Sequence, residues 1–518
     1  MILETLRYEL QDGIATITFD EQGSPVNTMC GQWQADLSQV ALQVKQDAPN
    51  IQGLILASAK STFFAGADLK GVMRSTTQDG PRVFAEIEGV KKSFRMLETC
   101  GFPVVSCLNG SALGGGLEVA LVGHYRIATQ NPKAIFGFPE ITLGLIPGAG
   151  GITKLTRTLG LMAAQPYLLE CKLFGAEEAH RLGLFHELVA SDAQLRPQAL
   201  AYIASAQGQP EASQHVWDRK DYKMPGGTPA NPKIAGMLSV APAMMKLKTR
   251  GLYPAPEAAL AAMVEGAMVD FDTAMRIETR YLATLMNSAV ARNMINTTFF
   301  NLNSYKAEQA KLQAELGAKP EGAWVVNKGM PAPGYDDPQQ FAATGPSDDK
   351  KTYVRRVMGA YIAQAEAMLA EGLSAPLIEN LAVQSGMHQG PLQLKLKTGL
   401  SVASSNASAN ANESANQSRP EVDALLHQDI KDRLLLCQSV EAAKCLQEGV
   451  LNSVAEANIG AVFAIGYPVC TGGTLQHIYA LGIEVFAARC KTLAEKYGAA
   501  FALTEEVLVC LKQHQPQY

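Results

Sequence analysis

Two glutamates set among glycines carry the residue types of an acid–base pair. They are Glu118 in Gly114-Gly115-Gly116-Leu117-Glu118, and Glu140 in Gly137-Phe138-Pro139-Glu140-Ile141-Thr142-Leu143-Gly144. Proton transfer needs one carboxyl that holds a proton and one that accepts it, both within reach of the reacting atoms. Glu118 follows a short β-branched run, Val104-Val105, and a glycine-rich turn that opens an apolar helix. Backbone N–H groups at such a helix start lack intrahelical partners and favour a developing negative charge. Glycine there lets a substrate approach the chain closely. The chemistry these types permit is proton movement beside a carbonyl whose oxygen becomes anionic. Each piece alone also has an ordinary reading. The glycines serve tight helix packing, Glu118 is a first-turn glutamate on the helix dipole, and Glu140 is a solvated loop residue. Phe63-Phe64-Ala65-Gly66-Ala67-Asp68-Leu69 upstream shifts the balance towards chemistry, and a second glycine run, Pro147-Gly148-Ala149-Gly150-Gly151, lies downstream.

Taken in order, Ala65-Gly66-Ala67-Asp68, then Asn109 to Glu118, then Gly137 to Gly151 resemble the crotonase superfamily, and enoyl-CoA hydratases in particular. The resemblance covers roughly the first 200 residues. It implies an α/β (α+β) fold, a ββα spiral of small sheets wrapped by helices. It also implies that the backbone N–H groups of Ala67 and Gly115 hold a thioester oxygen, that Glu118 activates water and that Glu140 delivers the α-proton. Phe64, Ala65, Gly66, Asp68, Leu69, Gly114, Pro139 and Gly144 become the expected contacts of substrate and coenzyme A. Phe64 reads equally well as core, and Asp68 as the cap of the next helix. The expected reaction is hydration of a 2-enoyl-CoA in fatty-acid β-oxidation. The same two glutamates would also suit a 3-enoyl to 2-enoyl isomerase, and a different class of reading is a non-catalytic scaffold subunit. The coenzyme A thioester is then substrate, with no tightly bound cofactor.

The elements that must position these residues emerge from patterning. Ile2 to Leu10 and Ile14 to Phe19 alternate across Gln11-Asp12-Gly13 and predict a β-hairpin. Pro25 to Met29 leads into a helix through Gln46, and Leu54 to Ser58 is a buried strand that delivers the Ala65–Asp68 loop. Lys70 to Leu97 is helical with an interruption at Thr76 to Gly80. Leu155 to Leu169 and Ala176 to Leu182 are helical too, and Gly183 to Val189 closes the core as a strand. His124 stands where the resembled family usually has aspartate, and is read as structural. Gln207 to Lys233 is a polar surface connection, and a long helical region runs from Leu252 to Gln313.

The remainder resembles fatty-acid oxidation multienzyme α-subunits with one domain missing. No GxGxxG comes after the helical region, so the resemblance implies that the NAD-binding Rossmann domain is absent and no NAD is expected. Two weak helical repeats of the dehydrogenase C-terminal type complete the chain. Arg356 through Gly372 aligns with Arg433 through Gly449 at a constant offset of 77 positions. The expected division is 1–200 hydratase core, 201–315 helical extension, 316–345 loop connection, 346–400 first repeat, 401–421 flexible low-complexity linker and 422–518 second repeat. A length of 518 residues requires more than one domain, and 47% hydrophobic with 18% charged residues is a globular composition. A net charge of −5 gives no reason to expect nucleic acid, and no apolar run spans a membrane. Nine scattered cysteines without CxxC fit a reducing, cytoplasmic setting, and no His/Cys cluster has metal-ligand spacing, so no metal is expected. A homo-oligomer or a thiolase-type partner subunit is the expected assembly.

Overall fold

The computed structural model describes residues 1–316, 348–400 and 424–516. Asp12 and Gly13 both take left-handed backbone, φ +51° and +79°, as a tight hairpin turn requires. They join β1 (Leu6–Gln11) to β2 (Ile14–Phe19) in antiparallel register, Leu6 opposite Phe19. From there the chain alternates between two kinds of sheet. The short strands are β3 (Thr28–Met29), β5 (Gly66–Ala67), β7 (Ala112–Leu113) and β9 (Phe136–Gly137). They pair in parallel as β3-β5 and β7-β9, and a bridge from Phe64 to Ala112 links the two pairs. Between them β4 (Gly53–Ser58), β6 (Val104–Leu108), β8 (Tyr125–Thr129) and β10 (Glu187–Val189) join β2 in parallel. The large sheet has the order β1-β2-β4-β6-β8-β10. Helices α1 (Gly31–Asp47), α2 (Leu69–Arg74), α3 (Gly80–Glu98), α4 (Gly115–Ala120) and α5 (Gly151–Leu159) follow the short strands in turn.

All five residues of β6, Val-Val-Ser-Cys-Leu, are buried, as befits a parallel strand covered on both faces. Ile55, Val105 and Ile127 of the sheet pack against Leu195, Ala199 and Ile203 of the helix Leu195–Ser205. Phe64 joins a second cluster, its ring 5.4 Å from Phe19 and 5.3 Å from Trp33. The closing strand is shorter than the sequence predicts. Gly183, at φ +72°, and the hydrogen bond from Leu184 N–H to Ala179 C=O terminate the preceding helix, so pairing begins only at Glu187. Residues 1–288 form one compact unit, which takes in the helices Pro254–Gly266 and Phe271–Met286 of the expected extension.

The second compact unit begins at Ala289, and the elements among its described residues are all helices. The connection expected at 316–345, beyond Leu316, and the linker expected at 401–421 lie outside the described residues. Its two longest helices, Asp348–Ala370 and Ala424–Gln447, are the ones that open the two repeats. Each ends before a Glu-Gly pair whose glycine is left-handed, Gly372 at φ +90° and Gly449 at φ +74°. The arginine that begins each repeat binds the glutamate that ends the other. Arg433 grips Glu371 through both Nη atoms at 2.6 Å, and Arg356 binds Glu448 through both Nη atoms and Glu441 through Nε at 2.6 Å. The two pairs differ in burial. The Arg433 side chain is 1% exposed, lies 4.0 Å from the Tyr497 ring and donates to Gln364, whereas Arg356 is 27% exposed. Stranding a buried guanidinium is costly, whereas exposed ion pairs contribute little. Glu371→Gln is therefore expected to lower the opening free energy of helix Ala424–Gln447 by about 2 kcal/mol. Glu448→Gln is expected to lower it by no more than about 1 kcal/mol. Amide hydrogen exchange of that helix checks both, and equal effects would refute the asymmetry.

Candidate active site

Three successive passes of the chain each place one part of the site at the end of a short strand or a few residues beyond it. Ala67 ends β5, Gly114 to Glu118 follow β7, and Glu140 follows β9. The three consecutive glycines each meet a different neighbour. Gly114 has φ +54° and ψ −123°, and a β-carbon there would collide with Glu140 Oε1. A β-carbon on Gly115 would lie 2.7 Å from Met29 Sδ and 3.6 Å from Ala67 N, so the start of α4 and the end of β5 are in close range. At Gly116 it would collide with the Phe64 carbonyl oxygen. Close packing thus explains Gly116, whereas Gly114 and Gly115 leave room for the carboxyl and for approach to backbone N–H groups.

Glu118 lies in the first turn of α4 and is 3% exposed. Its Oε1 accepts from the N–H groups of Ala149 at 2.7 Å and Gly151 at 2.6 Å. Those donors come from the second glycine run, at the start of α5. Desolvation first, then the nearby Glu278 carboxylate, raise the Glu118 pKa to about 7 despite the two N–H donors. Glu140 opens a short 3₁₀ turn, Glu140–Leu143, that Gly144 ends at φ +73° and Pro139 precedes. Its Oε2 is buried with no hydrogen-bond partner among the described residues. Desolvation, then the charge of Glu118, push its pKa well above the ordinary carboxyl range. Both glutamates predicted from sequence are thus brought to one place, each with its carboxyl pushed above the ordinary range by burial.

The other predicted contacts divide by what they offer. The Phe64 side chain is wholly buried among aromatic rings, so its carbonyl is what reaches α4. Ala65 is exposed and its N–H bonds the Asn27 carbonyl at 2.9 Å, while Gly66, at φ +114°, backs onto Leu113 O. Asp68 caps α2 by accepting from Lys70 N–H at 3.0 Å, and Leu69 is buried. His124 accepts from Val104 N–H and donates from Nε2 to Glu98 C=O, both at 3.0 Å, a structural bracket between β6 and α3. Sequence reading missed Glu278, on the helix Phe271–Met286. Fully buried, it accepts from Gly150 N–H at 2.6 Å and from Thr153 N–H and Oγ1–H at 2.9 Å each. The signal was a carboxylate on the apolar stripe Phe271, Ala274, Met275, Leu285 of an amphipathic helix. Among the described residues no cluster of three or more His, Cys, Asp or Glu could hold a metal ion, and no helix is long and apolar enough to cross a membrane.

Residues 9–222 match the family model described as enoyl-CoA hydratase/isomerase. The chain is 32% identical over 298 residues to the fatty acid oxidation complex subunit alpha of Shewanella halifaxensis, covering 57% of this chain and 41% of that protein. To the subunit of the same name from Shewanella loihica it is 30% identical over 322 residues, 62% of this chain and 43% of that one. An enoyl-CoA hydratase of solved structure from Bacillus halodurans is 22% identical over 56% of this chain and 99% of its own, with a TM-score of 0.40. The chain thus spans less than half the length of the curated relatives it matches. The match to the enoyl-CoA hydratase/isomerase family model thus takes in residues 9–222, and a helical region succeeds them in the chain.

A carboxyl whose pKa rises on folding stabilises the fold in acid, and that stability is lost as pH climbs through the folded pKa. For Glu118 the loss falls between about 4.5 and about 7. Glu118→Gln keeps an oxygen for both N–H donors but does not ionise. The variant should gain stability over the parent chain by about 2–3 kcal/mol between pH 5 and pH 8. Calorimetry of the first unit checks this, and a pH-independent difference would contradict it.

Proposed function

We propose that the chain is an enoyl-CoA hydratase, adding water across the 2,3 double bond of an acyl thioester. The observation that carries the reading is the pair of buried carboxyls, Glu118 and Glu140, beside the glycine-built start of α4, both pushed above the ordinary carboxyl range. Two neighbouring carboxyls, one holding a proton and one accepting it, supply an acid and a base. Glu140, whose carboxyl is pushed well above its ordinary range and has an unpartnered buried oxygen, is the acid. Glu118, half-ionised near pH 7, is the base.

In the proposed step, Glu118 takes a proton from water as its oxygen bonds to the β-carbon. The double-bond electrons move onto the thioester, and Glu140 gives its proton to the α-carbon. The thioester oxygen, gaining enolate charge, is held by the N–H groups of Ala67 and Gly115. Loss of one such donor typically costs about 3–4 kcal/mol of barrier. The two glutamates then differ from their starting states by one proton each, and exchange with solvent restores them. The name of the curated relatives, fatty acid oxidation complex subunit alpha, supports a place in fatty-acid oxidation.

Crotonyl-CoA and longer 2-enoyl-CoA hydration, followed by loss of enoyl-thioester absorbance, tests the reading. Glu118→Gln and Glu140→Gln should each lower kcat by about a thousandfold or more, with unchanged circular dichroism. The rate should rise with pH through about 7 as Glu118 ionises. Added NAD should give no NADH. Near-full hydration by either variant would refute the proposal, and turnover confined to 3-enoyl substrates would replace it with isomerisation.

A further inference from the structure

Glu278 lies outside the residues that match the family model, 128 positions from the loop it binds. Its helix, Phe271–Met286, meets the second glycine run at three points one turn apart. A β-carbon on Gly150, itself at φ +113°, would lie 2.9 Å from Met275 Cε, and one on Gly148 would collide with Leu282. Between these contacts Glu278 takes the Gly150 N–H. Along this one turn the donors alternate between two carboxylates. Ala149 and Gly151 give their N–H groups to Glu118, while Gly150 and Thr153 give theirs to Glu278.

Such alternation fixes the turn from both sides. Without Glu278, Gly150 and Thr153 would lose their acceptor in a dry environment, and a glycine loop has little other restraint. The turn would relax, and with it the two donors that aim Glu118. Lys91 of α3 holds Glu278 in turn. Its Nζ stands 3.4 Å from Glu278 Oε1 and donates to Met275 C=O at 2.5 Å and Thr279 Oγ1 at 2.8 Å. Glu88 of α3 accepts from Thr279 Oγ1 on the far side, and Lys154 of α5 is turned away to Glu98.

We propose that Glu278 is a positioning residue of the active centre, holding the Ala149–Thr153 turn so that its N–H groups orient the Glu118 carboxylate towards water. This rests on the hydratase reading above. Glu278 touches no substrate in it and acts through Glu118 alone.

The test uses the full chain with Glu278→Ala, Glu278→Gln and, as a packing control on the same helix, Leu282→Ala, each assayed for hydration across pH 5 to 9. Glu278→Ala should lower kcat by about 10- to 100-fold with KM changed less than about twofold. Glu278→Gln should lose less rate, because its oxygen still accepts. It should move the acid limb of the pH profile down by about one unit, because a negative charge beside Glu118 is gone. Leu282→Ala should lower the melting temperature and leave that limb in place. A folded Glu278→Ala protein with parental kcat and pH limb would overturn the inference and leave the hydratase reading standing, and so would a Leu282→Ala protein that reproduced the same limb shift. No turnover by the unaltered chain would overturn both.

Discussion

A carboxylate withdrawn from water must find donors, and the supply near Glu118 is short. It has two N–H groups from one glycine turn, and no cation among the described residues is bonded to it. Much of the first unit serves this constraint. The turn can offer several N–H groups in one direction only because Gly150 takes a left-handed conformation and because the α5 helix starts there. It keeps that shape because a helix from a distant part of the chain covers it. Full satisfaction of Glu118 would fix its pKa low and make it a poor base. Partial satisfaction leaves it near neutrality.

Delivery of the site depends on the alternation of the strands. Each long strand runs in the large sheet, and each short one leaves it for a two-residue ladder before a helix or a 3₁₀ turn begins. Two-residue strands have little stability of their own. They act as guides that aim the next few residues of the chain, so Ala67, Gly115 and Glu140 all emerge at the end of such a ladder or a few residues beyond it. The large sheet is the frame, and the candidate site lies on the turns that follow the short ladders.

What the sequence made legible was local. The hairpin announced itself in Asp12-Gly13, the helix start in three glycines, and the two glutamates in motifs that a resemblance could match. Each of these depends on neighbours within a few positions. Glu278 did not declare itself, because its meaning lies in a loop far away in sequence, and on its own helix it resembles any polar interruption of an apolar stripe. The same limit applies to the division of the chain. The helices after residue 200 look alike in pattern, and only their packing assigns Pro254–Gly266 and Phe271–Met286 to the first unit. Asp68 and Phe64 each carried two readings in the sequence, and the cap of α2 and the aromatic core account for their side chains.

The crossed arginine–glutamate pairs of the second unit have the form of an isologous contact, in which each partner gives the other what it receives. A single ancestral repeat pairing with its own copy about a twofold axis would make both contacts from one arginine and one glutamate. Duplication and fusion of such a repeat would then join two surfaces that already fitted, with no new interface to evolve. Arg433 is buried and Arg356 more open, so the match between the two halves is approximate.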